Sequence, residues 1–134
     1  MIERSLGGFH HVGVAVKDIR ATARRLASVF GAESESEILH DPNQGVRLQF
    51  MRLGNLRIEL LEPAAEPSPL DAILKRGIAL YQICHEVEDL DAELARLSKS
   101  GVAVLSPPKP AVAFGGRRVA FVMCDGLIIE LLET

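Results

Sequence analysis

The sequence predicts an α+β fold: two βαβββ repeats forming a cupped mixed sheet around one cavity. Three observations predict it. A strand, a capped helix and three further strands occur twice along the chain. The chain matches itself at an offset of 71 residues. The segment Ile58-Glu59-Leu60-Leu61-Glu62 recurs as Ile129-Glu130-Leu131-Leu132-Glu133 without mismatch. A repeat of this kind constrains architecture before any single element does. One helix and four strands cannot cover both faces of their own sheet. The two halves, 9–63 and 79–134, are therefore expected to associate across a linker, 64–78, as a single domain over 1–134.

In chain order, Phe9–Val16 alternates and is rich in β-branched residues, which reads as a strand. Asp18 is placed to cap a helix carrying Ile19, Ala23, Leu26 and Phe30 on one face and stopping at Gly31. A weak strand is expected near Glu35–Leu39. Val46–Leu53 and Leu56–Glu62 follow as two strands joined at Gly54-Asn55, a tight-turn pair. Ser68-Pro69 then opens a short helix that ends before Gly77. The order recurs: a strand over Ala79–Val87, then a helix capped by Asp89 that carries Leu90, Leu94 and Leu97 and ends near Gly101. Strands over Val102–Leu105, Arg117–Met123 and Leu127–Glu133 complete the half, with Asp125-Gly126 as the last turn.

Composition narrows the partners. Of the 134 residues, 48% are hydrophobic, enough for a core of ordinary domain size. The net charge is −3 with both signs dispersed, and no basic stripe marks a nucleic-acid surface. No stretch has the length of a membrane span. Positions 1–30 lack the apolar run of a signal peptide, because Arg20, Arg24 and Arg25 interrupt it. Cys84 and Cys124 form no CxxC pair. Together these features predict a cytoplasmic protein with reduced thiols.

The repeat offset also exposes a candidate site. His11 on the first strand falls on Gln82, and Glu59 on the last strand of its half falls on Glu130. All four side chains can offer a lone pair to a cation. Strand parity gives them one face: Val12, Val14 and Val16 suit the helix side and leave His11 opposite. Ile58 and Leu60 do the same for Glu59, as Ile129 and Leu131 do for Glu130. Glu130 interrupts the apolar run Leu127–Leu132, where a carboxylate is costly unless paired, protonated or bound to a cation.

The segment FHHVGVAVKDI resembles the opening strand of the vicinal oxygen chelate superfamily, which comprises glyoxalases, bleomycin resistance proteins and dioxygenases. LGNLRIELLEP and GRRVAFVMCDGLIIELLE resemble the fourth strand and the closing hairpin of its methylmalonyl-CoA epimerase branch, and ALYQICHEVEDLDAEL resembles the start of its second half. The resemblance implies metal ligands at His11, Glu59, Gln82 and Glu130. It implies a divalent cation, one of Co, Ni, Mn, Zn or Mg, because one nitrogen and three oxygens suit an octahedral shell. Its implied activity is an isomerase, an epimerase that removes a proton next to a thioester or similar carbonyl, with Glu130 or Glu59 as the base. The implied substrate is a small molecule such as an acyl-CoA, with a homodimer as the assembly.

Two departures accompany it. The family places His where this chain has Gln82. Certain bacterial epimerases carry a glutamate at the position of Leu48, which cannot move protons. The same fold leaves open a lactoylglutathione lyase-like enzyme and a non-catalytic small-molecule binding module of the bleomycin-resistance type. Dioxygenase chemistry lacks its second His. His10 and His85 are read as structural, His40 with its DPNQG loop as a turn, and Glu62 and Glu133 as solvated. Arg117 and Arg118 are read either as edge-strand charge or as partners for an acidic group.

Overall fold

The structure, a computed structural model, describes residues 6–134. The expected domain over 1–134 thus includes residues 1–5, which lie outside the described residues. The chain divides into two compact units, His11–Tyr81 and residues 6–10 with Gln82–Thr134.

The His11–Tyr81 unit holds β1 (Phe9–Ala15) from His11 onward, α1 (Ile19–Phe30), β2 (Glu33–Ser34), β3 (Leu39–Asp41), β4 (Val46–Leu53), β5 (Leu56–Pro63) and α2 (Asp71–Lys75). Its strands run in the order β2-β4-β5-β1, and β3 also pairs with β4. β1 and β5 are parallel, and the remaining pairs are antiparallel. Asp18 caps α1 by accepting from Ala21 N at 3.2 Å. Gly31 ends the helix at φ 70°, in the left-handed region where a side chain would be strained. Val16, Ile19, Met51, Ile58 and Leu60 form the core beneath α1, with Val14, Ala23 and Leu26 packed around them. Phe30, expected on that buried face, is instead 69% exposed. It lies in the last turn beside Gly31, where the chain has begun to leave the sheet.

The second unit contains β6 (Leu80–Val87) from Gln82 onward, α3 (Leu90–Lys99), β7 (Ala103–Pro110), β8 (Arg118–Cys124) and β9 (Leu127–Glu133). The order is β6-β9-β8-β7, with β6 parallel to β9 and the others antiparallel. Asp89 caps α3 through Ala92 N at 3.0 Å. Val87, Leu90, Ala120, Val122 and Leu131 pack under that helix. On the opposite face Cys84, Ala111, Val119 and Leu132 pack beneath a 3-10 turn, Val112–Phe114. Both units are mixed sheets with helices, and neither sheet closes. This is the α+β class that the repeat predicts.

The ladders repeat pair for pair. Val12 faces Ile58 as Ile83 faces Ile129, Gly13 faces Glu59 as Cys84 faces Glu130, and Phe50 faces Glu59 as Phe121 faces Glu130. Both hairpin turns carry residues at positive φ, Gly54 at 64° in one and Asp125 at 51° with Gly126 at 82° in the other.

Three elements differ from expectation. The strand predicted near Glu35–Leu39 is two short ones, β2 and β3. Between them Ser36 breaks the ladder: its hydroxyl accepts from Phe50 N at 3.0 Å, in place of a backbone carbonyl. The short helix begins at Asp71 rather than Pro69, and its N-cap position, Leu70, has no side-chain cap bond. Ser68 Oγ accepts from Leu70 N, and the Asp71 carboxylate accepts from Ser68 N at 2.9 Å. The last-but-two strand, expected to stop at Leu105, runs on to Pro110 through Pro107 and Pro108. It lies at the outer edge of its sheet, where a residue without an N–H is tolerated. Its register slips on either side of Ser106.

Candidate functional site

Glu59 is forced inward by its neighbours. Ile58 and Leu60 belong to the core under α1, so strand alternation turns Glu59 to the other face of β5. There it is 4% exposed, and its Oε1 lies 3.2 Å from Nε2 of the fully buried His11. The His11 ring stands edge-on to Phe50 at 5.3 Å between centroids, and Phe50 is the β4 residue opposite Glu59.

The second unit repeats the arrangement with a different first residue. Leu131 joins the core under α3 with Ile129 against it, so Glu130 faces away and is 3% exposed. Gln82, also 3% exposed, donates from Nε2 to Glu130 Oε1 at 3.2 Å. The other end of that amide, Oε1, finds no hydrogen-bond partner among the described residues. Buried acceptors are ordinarily satisfied. An oxygen lone pair in a dry place beside a buried carboxylate has the chemistry of a ligand for a hard cation. Each unit therefore presents buried side chains of the kind a divalent metal takes, imidazole with carboxylate in one and amide oxygen with carboxylate in the other.

The other candidates have definite places. The His10 ring meets Phe114 edge-on at 5.2 Å. His85 sits edge-on to Phe9, with Nδ1 3.3 Å from Gly7 O. His40 is an exposed residue of β3. At the end of β3 the fully buried Asp41 accepts from Asn43 N and from Gln44 N and Nε2, which makes the turn that the DPNQG sequence suggests. Arg117 lies over Phe114, 5.7 Å from the ring centre. Arg118 is held in the fold by Asp91 and Glu133, each at 3.0 Å.

Glu62 and Glu133 are not the solvated residues that parity suggests. Glu62 accepts from the first N–H of α1, at Ile19, and from Arg47. Glu133 accepts from the first N–H of α3, at Leu90, and from Arg118. Each carboxylate neutralises the positive end of a helix and orders an arginine at once. The arginine hydrogen bonds, and then the Leu90 N–H, hold the Glu133 carboxyl below its usual range. One signal of this was present in the sequence: Arg47 and Arg118 are also mates at the 71-residue offset.

This fold and these paired carboxylates define the class: the chain belongs to the glyoxalase/bleomycin resistance protein/dioxygenase superfamily, whose family profile matches residues 10–121. Within that class it is similar to the epimerases. It is 35% identical over 134 residues to the ethylmalonyl-CoA/methylmalonyl-CoA epimerase of Cereibacter sphaeroides, a match covering 96% of this chain and 99% of the relative. The methylmalonyl-CoA epimerase from Mycobacterium tuberculosis superposes with a TM-score of 0.78 at 29% identity, covering 99% of this chain and 92% of that one. A methylmalonyl-CoA epimerase in complex with methylmalonyl-CoA and NH4+ also gives 0.78, at 28% identity over 97% of this chain and 96% of the other. The resemblance read from the sequence is borne out, as is an epimerase-like function. Among the described residues no helix is long and apolar enough to cross a membrane.

Proposed function

We propose that this chain is a metal-dependent epimerase that removes and returns the proton next to the thioester carbonyl of a methylmalonyl-CoA-like acyl-CoA. The observation that carries this reading is the repeated pair. Each unit presents one buried glutamate with a nitrogen of its first strand at 3.2 Å, in a chain 35% identical to an acyl-CoA epimerase.

In this reading His11, Glu59, Gln82 and Glu130 together hold one divalent cation. When bound, such an ion supplies Lewis-acid charge to the substrate's carbonyl oxygens. The chain's own residues handle the proton. Leu48 is fully buried and has nothing to titrate. The acid–base work therefore falls to the two carboxylates, one taking the α-proton and a proton returning to the opposite face. The assembly in this reading is a homodimer. Its compartment is the cytoplasm, in keeping with Cys84 and Cys124, neither of which is in a disulfide.

The test is exchange of the α-proton of methylmalonyl-CoA with D2O, followed by NMR on Co2+-loaded protein. Glu59→Gln and Glu130→Gln should each lower the rate about 10²- to 10⁴-fold, the usual worth of a positioned base, and weaken Co2+ binding in calorimetry. Undiminished exchange in both variants would overturn the assignment. A wild-type protein that neither binds Co2+ nor catalyses deuterium incorporation into methylmalonyl-CoA would point to the binding-module class instead.

A further inference from the structure

We infer that Gln82 is a positioning residue for Glu130, fixing the carboxylate through its N–H end while its oxygen end stays committed elsewhere. The inference rests on the proposed epimerase reading and adds a task for this chain's own departure from the family pattern.

The two ends of an amide are chemically opposite, and here each has one possible use. Nε2 donates to Glu130 Oε1 at 3.2 Å. Turning the amide over would set its oxygen against a carboxylate oxygen, lone pair to lone pair, so the orientation is fixed by the neighbour. That leaves Oε1 as a buried acceptor with no hydrogen-bond partner among the described residues. Glu130 gains in turn. Its side chain has several rotatable bonds, and a donor on Oε1 selects among its rotamers. In the other unit the mate residue, His11, brings its Nε2 to 3.2 Å from Glu59 Oε1. Imidazole and amide thus each stand beside the last-strand carboxylate from mate positions on the first strand.

Gln82→Glu separates this task from ligation. The variant keeps an oxygen donor of the same length but replaces the N–H with a negatively charged oxygen, so Gln82→Asn, which adds no charge, is measured beside it. With the Co2+-loaded protein and methylmalonyl-CoA, the expected result is Co2+ affinity at least equal to wild type and KM within about twofold. The turnover of α-proton exchange should fall about 10- to 100-fold, the scale on which outer partners act. Unchanged turnover with Co2+ bound would overturn the positioning role. Loss of Co2+ binding would overturn the commitment of Oε1. If circular dichroism shows that Gln82→Glu is unfolded, Gln82→Asn serves instead. It keeps the amide but withdraws it by one methylene, and the Co2+ visible spectrum reports whether the site is intact; the same fall in turnover is expected. Failure of the wild type to exchange at all removes the epimerase reading itself. Exchange in wild type and variant alike removes only the role of Gln82.

Discussion

At the scale of single residues, Glu62 and Glu133 show how a strand end serves a helix 43 positions away. Strand alternation places both off the face of Glu59 and Glu130, which is why they read as solvated. Parity reports which way a side chain leaves its strand, but not what stands there. The Glu133 arrangement carries a pH signature. Because its folded-state carboxyl lies below the ordinary value of 4.5, its contribution is complete above that value and is lost as pH falls through the folded-state value. Arg118 stays cationic throughout, since its pKa is raised further by Glu133 and Asp91. Glu133→Gln should therefore be less stable than wild type near neutrality, with the gap closing as pH is lowered from about 6 to about 3. Urea denaturation at stepped pH reads this directly. A gap of constant size would mean that the carboxylate's charge has no part in it. His11, Glu59, Gln82 and Glu130 were legible earlier because each is a polar residue on the wrong side of an apolar alternation, twice over. The engagement of Glu130 by Gln82 was not, since only geometry shows which end of an amide faces what.

At the scale of elements, helix caps and tight turns were legible because their chemistry is local. Asp18 and Asp89 lie within three residues of the N–H groups they satisfy. What local sequence does not carry is where a helix face stops touching the sheet. Phe30 has the right spacing from Ile19, Ala23 and Leu26, yet it stands in solvent. Leu90 has no exposed surface and packs with Val87, Ala120, Val122 and Leu131. Leu90→Ala should cost about 2–5 kcal/mol through lost burial and a residual cavity. Phe30→Ala should change stability by less than about 0.5 kcal/mol. Urea midpoints of the two variants test the contrast, and a large loss in Phe30→Ala would show that the residue is covered in solution. The split of β2 from β3 belongs here too: one hydroxyl, that of Ser36, captured a ladder N–H, and no propensity scale registers a competition of that kind.

At the scale of the whole molecule, the repeat was the most readable feature, since a match at one offset fixes caps, turns and ladder register together. Surface apolar residues remain in both units, including Val29 and Leu80 in one and Leu105 and Val112 in the other. If these are covered by a second copy, light scattering at micromolar concentration should return twice the monomer mass; a monomer alone would contradict the proposed dimer. The proline-bearing strand has a different bearing on assembly. A sheet rim is a growth point: each unsatisfied N–H along it invites another chain to dock and extend the sheet without limit. On β7, Pro107, Pro108 and Pro110 have no N–H to give, and the ladder is already out of step on either side of Ser106. In the other unit one edge strand is β2, only two residues long. The rims thus offer a newcomer too few rungs to climb, which favours discrete particles over fibres while leaving the inner strands free to be as apolar as the core requires.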